Sequence, residues 1–225
     1  PDKADTGLFF FKGAAGAPFA VCSAGGGFAY VGAMQDSFPH ALEISKRGYN
    51  AFALIYRPGA QTACEDLARA IAWIFAHAGE LEVDTEGYSL WGGSAGARMA
   101  AWLGSYGPGA FGEEDLPRPA AVVLQYTGHA EYTPEDPPTF ACVGESDWIA
   151  NWRTMERRLQ ALQDLGIPHG VPPLSRPAPR LWPGHRDGRR GLAGRGGRLL
   201  GGAESAAILT KSNGYFGGKE ALFHE

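Results

Sequence analysis

Long apolar runs are missing from this chain of 225 residues, and so are the common nucleotide and metal motifs. No apolar stretch approaches the roughly 18 residues that a membrane-spanning helix needs, so no membrane span is predicted. The phosphate-binding pattern Gly-x-x-x-x-Gly-Lys-[Ser/Thr] is absent, and no group of His, Cys and carboxylate residues has the spacing of a metal site. The sequence therefore predicts neither a cofactor nor a metal.

Cysteine is scarce as well. The chain has only Cys22, Cys64 and Cys142, and two of them lie inside apolar segments. An odd number of cysteines in such surroundings predicts buried free thiols rather than disulfides. Free thiols favour a reducing compartment, and the predicted location is cytoplasmic.

Glycine, by contrast, is abundant, and one glycine cluster surrounds a serine. The stretch Gly92-Gly93-Ser94-Ala95-Gly96 follows a predicted strand at 88–91 and precedes a helix-forming segment at 95–103. A serine between glycines on a tight strand-to-helix turn is how a fold exposes a nucleophile. Because the chain has 33 glycines, an ordinary glycine-rich turn is the alternative interpretation.

A second glycine cluster follows the apolar segment 19–22 and has almost no side chains. It runs Ser23-Ala24-Gly25-Gly26-Gly27-Phe28. Bare backbone there can direct N–H groups at the negative oxygen of a tetrahedral intermediate, which needs two or three fixed donors. A flexible linker is the alternative. A dinucleotide-binding loop is excluded because no third glycine follows three residues after Gly27.

With these two motifs, residues 7–168 resemble the α/β-hydrolase superfamily, and within it the esterases whose oxyanion loop is His-Gly-Gly-Gly. Carbohydrate esterases and dienelactone-hydrolase-like enzymes share this plan. The resemblance implies that Ser94 is the nucleophile and that Gly26, Gly27 and Ala95 supply the oxyanion N–H groups. Ala24 stands where many of these esterases have the His that braces the loop, so the rigidity of the loop must have another source.

The chain order of the superfamily's triad is serine, acid, histidine, which predicts the acid after the second strand beyond the elbow. Asp147 lies there, on the loop after a predicted strand at 139–144. Its carboxylate would hold the imidazole in the correct tautomer. The alternatives are that Asp147 caps the helix predicted at 152–165 or faces solvent, and Glu145 is the reserve candidate.

The histidine of the triad is the weak point of the resemblance. The expected His-Gly-aromatic motif, about thirty residues after the acid, is absent. His185 lies 38 residues after Asp147 and is nominated as the base. His169 comes where the last strand should begin, and His129 breaks the triad order. All three are open to interpretation as surface or pocket histidines.

Composition changes sharply at residue 169. Residues 1–168 have 11 Lys and Arg against 20 Asp and Glu, whereas residues 169–225 have 9 against 4. Of the 34 residues at 169–202, 14 are Gly or Pro, which predicts an irregular or disordered tail. The predicted boundaries are a catalytic domain at 1–168, incomplete at both ends, and a tail at 169–225.

Two hypotheses account for this tail. One is a reading-frame slip near residues 167–169, because the codons of residues 178–182, read one base later, can spell His-His-Gly-Phe-Gly. The other is a genuine extension whose Arg/Gly-rich segment at 194–198 binds RNA phosphates. The slip keeps the hydrolase interpretation and supplies its histidine, whereas the extension would make the chain a binding protein.

The segments as a whole predict one α/β domain with a doubly wound, mostly parallel sheet flanked by helices. Pro1 in place of Met predicts that the first one or two strands of the superfamily are missing. On the helix at 64–78, Leu67, Ile71, Ile74 and Phe75 share one face and are predicted core. The predicted strands are 8–11, 19–22, 49–56, 88–91, 119–126 and 139–144, and the further helices are 37–46, 95–103 and 152–165.

The predicted function is hydrolysis of short-chain acyl esters, acetylated sugars among them, through an acyl-enzyme on Ser94. The expected partner is a small-molecule ester, with no membrane or nucleic acid. The alternative is a hydrolase-like protein made inactive by loss of the triad histidine. The segment at 106–118 is too short for a large lid. Predicted pocket residues, with aromatic core as the alternative, are Phe28, Tyr30, Tyr126, His129 and Trp148.

Overall fold

A seven-stranded sheet organises the chain. The structure is a computed structural model, and it describes residues 5–144 and 147–170. The strand order is β1-β3-β2-β4-β5-β6-β7, with β1 antiparallel to β3 and all other neighbours parallel. The strands are β1 Gly7–Phe11, β2 Ala17–Ser23, β3 Asn50–Ile55, β4 Val83–Gly93, β5 Ala121–Gln125, β6 Thr139–Cys142 and β7 His169–Gly170.

Helices connect the parallel strands and cover both faces of the sheet. One face packs against α1, and the other packs against α2, α4 and α5, because alternate strand residues point to opposite sides. No helix in the described part of the chain is long and apolar enough to cross a membrane. The helices are α1 Ser37–Lys46, α2 Ala60–Ala76, α3 Ala78–Leu81, α4 Ala95–Tyr106 and α5 Trp152–Asp164, with a 3₁₀ turn at Pro108–Phe111.

The larger core lies between the sheet and α2, α4 and α5. Leu67, Ile71 and Ile74 of α2 are fully buried there, and Phe75 packs on Phe19 with ring centroids 6.0 Å apart. The predicted core face of this helix is confirmed. All three cysteines are buried and free, as predicted.

The carboxyl ends of the central strands lie level with one another. Ser23 of β2 pairs with Gly92, Gly93 of β4 pairs with Gln125, and Gln125 of β5 pairs with Cys142. The loops that follow these strands therefore meet at one edge, where open α/β sheets bind their ligands. Both glycine clusters lie on these loops.

The predicted fold class and all six strands are confirmed, with three differences in detail. Strand β4 begins at Val83 rather than 88, because the exposed Glu86 and Gly87 interrupt its apolar pattern. Helix α2 begins after Gly59 at Ala60, four residues before the predicted start, because its first turn is not apolar.

The third difference is an additional strand. His169 and Gly170 pair with Thr139 and Phe140 of β6, so the sheet continues two residues past position 168. Residues 171–225, on which the disordered-tail and RNA-binding hypotheses depend, lie outside the described residues.

Candidate active site

Ser94 occupies a strained turn between β4 and α4. Its φ is 52° and its ψ is −111°, a conformation that residues with a side chain rarely adopt. The Ser94 N–H donates to the carbonyl of Gln125 at 2.9 Å, and the Ser94 carbonyl accepts from the N–H of Arg98 at the start of α4. The serine side chain is partly exposed. The turn is therefore fixed on both sides and presents its hydroxyl at the sheet edge.

Close backbone approach explains the glycines of this turn. A Cβ on Gly96 would lie 2.0 Å from the carbonyl oxygen of Ser23, and one on Gly93 would lie 2.1 Å from the Tyr126 hydroxyl. A side chain at position 96 would force the backbone at Ser23 to move, and one at position 93 would displace the side chains of Tyr126 and Asp36. The pattern of glycines is a requirement of the turn and not a feature of composition.

The glycine loop after β2 lies directly beside Ser94. A Cβ on Gly25 would lie 3.0 Å from the Cβ of Ser94. The loop is ordered by its own hydrogen bonds: Ala29 and Tyr30 donate to the Gly26 carbonyl, and Gly32 donates to the Gly25 carbonyl at 2.9 Å. This structure differs from the flexible linker that was the alternative.

The N–H groups of this loop are used unequally. Gly25 donates to the Asp36 carboxylate at 2.7 Å. Within the described residues, the N–H groups of Gly26 and Gly27 have no recorded acceptor, and Gly27 is exposed. Ala95 lies in the first turn of α4, where N–H groups have no partner within the helix. The assignment of Gly26, Gly27 and Ala95 as oxyanion donors stays a prediction.

Two side chains outside the loop brace it. The Tyr56 hydroxyl donates to the carbonyl of Ala24 at 2.7 Å, and Asp36 accepts from Gly25. Ala24 itself is fully buried and has no polar side chain. The loop thus has fixed contacts although alanine stands where the resemblance implies histidine.

Backbone strain concentrates at this edge of the sheet. Among the described residues, four non-glycine residues have positive φ, and three of them are Phe28, Ser94 and Tyr126. Such strain costs of order 1–3 kcal/mol for each residue and persists where the surrounding structure enforces it. Its concentration around one serine is typical of a functional site.

Asp147 lies on the loop two strands away from Ser94. Its Oδ1 accepts from the N–H groups of Ile149 at 2.8 Å and Ala150 at 3.0 Å. The alternative that Asp147 caps α5 is wrong, because Asn151 is the N-cap and accepts from Arg153 N–H. Asp147 instead closes the turn that precedes α5, on the loop after β6. The reserve candidate Glu145 lies outside the described residues.

The structure describes four of the six histidines, and their positions differ. His185, nominated as the base, lies outside the described residues. His169 is in β7, and its Nδ1 lies 3.4 Å from the Ile167 carbonyl oxygen. His77 stacks on Trp73 at the end of α2. The remaining two, His40 and His129, are buried.

His129 is enclosed rather than open to a pocket. It is only 3% exposed, lies edge-on to Trp102 with ring centroids 5.4 Å apart, and its Nε2 has no hydrogen-bond partner within the described chain. Burial, reinforced by the Arg158 charge, lowers the pKa of His129 to about 4. Its imidazole is therefore neutral at pH 7.

The other predicted pocket residues divide into packed and exposed groups. Phe28 stacks on Trp102 with ring centroids 6.1 Å apart, next to the Gly27 N–H. Tyr30 is 60% exposed and Trp148 84% exposed, so these two lie on the surface. Tyr126 is partly buried and directs its hydroxyl at Asp36. That these residues line a substrate pocket stays a prediction.

Sequence reasoning missed Asp36. The residue lies just before α1, where an acidic residue usually caps the helix, yet its side chain makes no cap hydrogen bond. The carboxylate turns to the sheet edge instead, and His40 Nδ1 lies 3.4 Å from its Oδ1. Its neighbours Gln35 and Ser37 are polar and gave no signal of burial, and its partners are distant in sequence.

A separate charged cleft of about 350 Å³ lies between α2 and the segment at 110–113. Its charged side chains pair with one another, Arg57 with Asp66 at 2.6 Å and Arg69 with Glu113 at 2.8 Å. In the described part of the chain, no group of three or more His, Cys, Asp or Glu residues could hold a metal ion.

Comparisons with known proteins support the fold described above, a mostly parallel sheet flanked by helices. Residues 11–115 match the family model BD-FAE, a segment that contains both the glycine loop and the Ser94 turn. A search of curated protein sequences finds no match.

Solved structures similar to this chain include several hydrolases. One is MGS-M1, an alpha/beta hydrolase enzyme from a Medee basin deep-sea metagenome library, at 22% identity and a TM-score of 0.61, covering 70% of this chain and 67% of that one. Another is the thermophilic esterase Est2 of Thermogutta terrifontis, at 20% identity and 0.63, covering 76% of each chain. A third is the acetyl ester-xyloside bifunctional hydrolase of Caldicellulosiruptor lactoaceticus, at 20% identity and 0.65, covering 76% of this chain and 79% of that one.

Proposed function

We propose that this chain, which has the α/β-hydrolase fold, is a serine hydrolase that cleaves short-chain carboxylic esters through Ser94. The observation that carries the proposal is the contact between the strained Ser94 turn and the glycine loop, whose Gly26 and Gly27 N–H groups face no protein acceptor among the described residues. The BD-FAE match and the esterases among the similar structures support the same class of reaction.

In the first step, the Ser94 hydroxyl oxygen attacks the ester carbonyl carbon while a histidine accepts the hydroxyl proton. Negative charge then develops on the former carbonyl oxygen. The N–H groups of Gly26, Gly27 and Ala95 would stabilise this charge, because they are held in place before the substrate binds. The tetrahedral intermediate collapses, and the alcohol leaves with the proton returned by the histidine.

In the second step, the histidine takes a proton from water, and the hydroxide attacks the acyl carbon. Collapse of the second tetrahedral intermediate releases the carboxylic acid and restores Ser94. Asp147, on the loop after β6, would orient the histidine and stabilise its positive form, with its Oδ1 held by the N–H groups of Ile149 and Ala150. His185 is the histidine that the sequence nominates.

Short acyl groups suit this site better than long chains. The segment between α4 and β5 forms only the short 3₁₀ turn Pro108–Phe111, which packs next to α2 and α4 and builds no large lid. Acetyl groups on sugars are the proposed natural class, in line with the acetyl ester activity named for one similar structure.

The test is hydrolysis of p-nitrophenyl acetate by the chain and by Ser94→Ala, with Ser105→Ala as the matched control. Ser105 is a buried serine at the other end of α4. Loss of the nucleophile should lower turnover toward the uncatalysed rate, by up to about a millionfold, whereas the control should keep activity. Activity that persists in Ser94→Ala, in this chain or in the version with the restored reading frame, would refute the proposal.

Two further comparisons complete this experiment. Replacing acetate by butyrate and octanoate tests the preference for short chains, and acetate release from acetylated xylan tests the sugar ester class. His185→Ala and a version of the chain with the shifted reading frame restored test the source of the base. Full activity of His185→Ala would exclude His185, and no gain on restoring the frame would exclude the frame-slip hypothesis.

A further inference from the structure

Asp36 is a buried carboxylate that the reaction steps above do not use. It is only 6% exposed. Its Oδ2 accepts from the Gly25 N–H at 2.7 Å and from the Tyr126 hydroxyl at 2.5 Å, and its Oδ1 lies 3.4 Å from His40 Nδ1. Burying a carboxylate is costly unless donors compensate its charge. This one is compensated by groups from the glycine loop, the end of β5 and α1.

These contacts meet beside Gly93, the residue that precedes Ser94. A Cβ on Gly93 would lie 2.6 Å from Asp36 Oδ2 and 2.1 Å from the Tyr126 hydroxyl oxygen. Glycine at this position therefore leaves space for the pair formed by Asp36 and Tyr126. The pair touches the nucleophile strand on one side and the glycine loop on the other.

Both polar backbone groups of Gly25 are occupied. Its N–H donates to Asp36, and its carbonyl accepts from the N–H of Gly32 at 2.9 Å. The Ala24–Gly25 peptide plane is thus held by Asp36 and the Gly25–Gly26 plane by Gly32, which fixes the backbone at Gly25 and restricts the direction of the Gly26 N–H. Burial, and then the Asp36 charge, raise the pKa of Tyr126 well above its usual value, so its hydroxyl keeps its proton and stays a donor.

We propose that Asp36, together with Tyr126, is the positioning residue that sets the glycine loop against Ser94. This inference rests on the proposed function. The pair does not touch the substrate. It acts by fixing where the N–H groups of Gly26 and Gly27 point, at the distance from Ser94 that a developing negative oxygen requires.

A positioning role has a kinetic signature. Hydrogen bonds to the oxyanion strengthen as charge develops, so a displaced loop weakens binding of the transition state more than binding of the ester. Variants of Asp36 and Tyr126 should therefore lower kcat and leave KM almost unchanged. A purely structural defect would lower only the fraction of folded protein, which reduces the apparent kcat but leaves the affinity of the folded fraction for a transition-state analogue unchanged.

The first experiment compares Tyr126→Phe with Tyr88→Phe, which each delete one buried phenolic hydroxyl. Tyr88 donates to the Pro117 carbonyl near the other end of β4, away from Ser94. On p-nitrophenyl acetate, we expect Tyr126→Phe to lower kcat about 10-fold, as a displaced donor loses less than the 100-fold or more of a deleted one. Tyr88→Phe should keep the parent kcat. Equal kcat for both variants would contradict the inference.

Asp36 itself is tested with a conservative and a disruptive variant. Asp36→Ala should lower kcat about 100-fold, and Asp36→Asn, which keeps an acceptor for the Gly25 N–H, should recover at least part of that loss. Circular dichroism and unfolding midpoints check that each variant is folded, and kcat is calculated for the folded protein. If folded Asp36→Ala keeps kcat within about twofold of the parent, the inference is wrong.

Measuring the affinity of an inhibitor, which needs no turnover, separates the proposed hydrolase function from the positioning role of Asp36. Phenylboronic acid adds to a serine hydroxyl and imitates the tetrahedral intermediate, so its affinity reports the oxyanion site directly. Affinity lost in Ser94→Ala, and lowered about 10-fold or more in Asp36→Ala, supports the positioning role. Affinity lost in Ser94→Ala but unchanged in Asp36→Ala overturns the inference alone. Affinity and hydrolysis that are both independent of Ser94 overturn the proposed function and the inference with it.

Discussion

Replacing Ser94 by glycine should stabilise the fold while removing its chemistry. Ser94 has φ 52° and ψ −111°, close to the first central position of a type II′ turn, which glycine favours. A residue with a side chain meets steric strain there, whereas glycine does not. The strain should therefore be released in Ser94→Gly but retained in Ser94→Ala, which lacks only the hydroxyl.

The expected size follows from two opposing terms. Strain in a sparsely populated region costs about 1–3 kcal/mol, and its release favours the folded state. Glycine also gives the unfolded chain more freedom, which costs about 0.4–1 kcal/mol. The net gain should be about 0.5–2 kcal/mol, or about 1–8 °C in the unfolding midpoint for a domain of this size.

Urea and thermal unfolding of the parent, Ser94→Gly and Ser94→Ala measure this gain. Both variants should be inactive toward p-nitrophenyl acetate. Only the glycine variant should have a higher urea midpoint and a higher unfolding temperature than the parent. An unfolding midpoint of Ser94→Gly at or below that of Ser94→Ala would refute the argument that the turn stores strain.

Three further predictions concern buried ionisable groups. Because the pKa of His129 falls from 6.5 to about 4 on folding, the unfolded chain binds more protons between these values, and stability should fall by about 3 kcal/mol from pH 7 to pH 4. The denaturant midpoint of His129→Gln should lack this part of the pH dependence. If the midpoints of the parent and of His129→Gln changed equally with pH, the burial of a neutral imidazole would be contradicted. Burial raises the pKa of all three cysteine thiols, so Ellman's reagent at pH 8 should label none in the folded chain and three in denaturant. Arg158→Ala leaves Asp136 buried without its ion-pair partner and should cost about 3–5 kcal/mol, against about 0.5 kcal/mol or less for the exposed Arg157→Ala on the same helix. Urea titration measures both losses, and similar values would show that the buried pair adds nothing.

The backbone of the site was predictable because its signals are local. The glycine spacing of residues 92–96 predicts the turn. The apolar segments at 19–22 and 88–91 predict the strands that lead into both loops. The parallel direction of most strands was predictable too, since helices between strands favour parallel neighbours in a doubly wound sheet. The start of β4 was missed because its first residues are half exposed, and exposure removes the apolar pattern.

Side-chain contacts between distant segments were not predictable. Asp36 and Tyr126 are 90 residues apart, and nothing near either residue indicates a hydrogen bond between them. Likewise, the buried position of His129 depends on Trp102 and on the charge of Arg158. Burial and partners of a polar residue follow from which elements pack over it.

The sequence by itself therefore determined the sheet, the Ser94 turn and the bare glycine loop, because each depends on backbone preferences within a few residues. Only the tertiary structure decided that the Gly25 N–H donates to Asp36, whereas the N–H groups of Gly26 and Gly27 have no acceptor among residues 5–144 and 147–170. The physical reason is the level register of β2, β4 and β5, which brings residues from three separate segments within hydrogen-bond distance. A hydrogen bond across such a distance in sequence leaves no periodic trace in the chain.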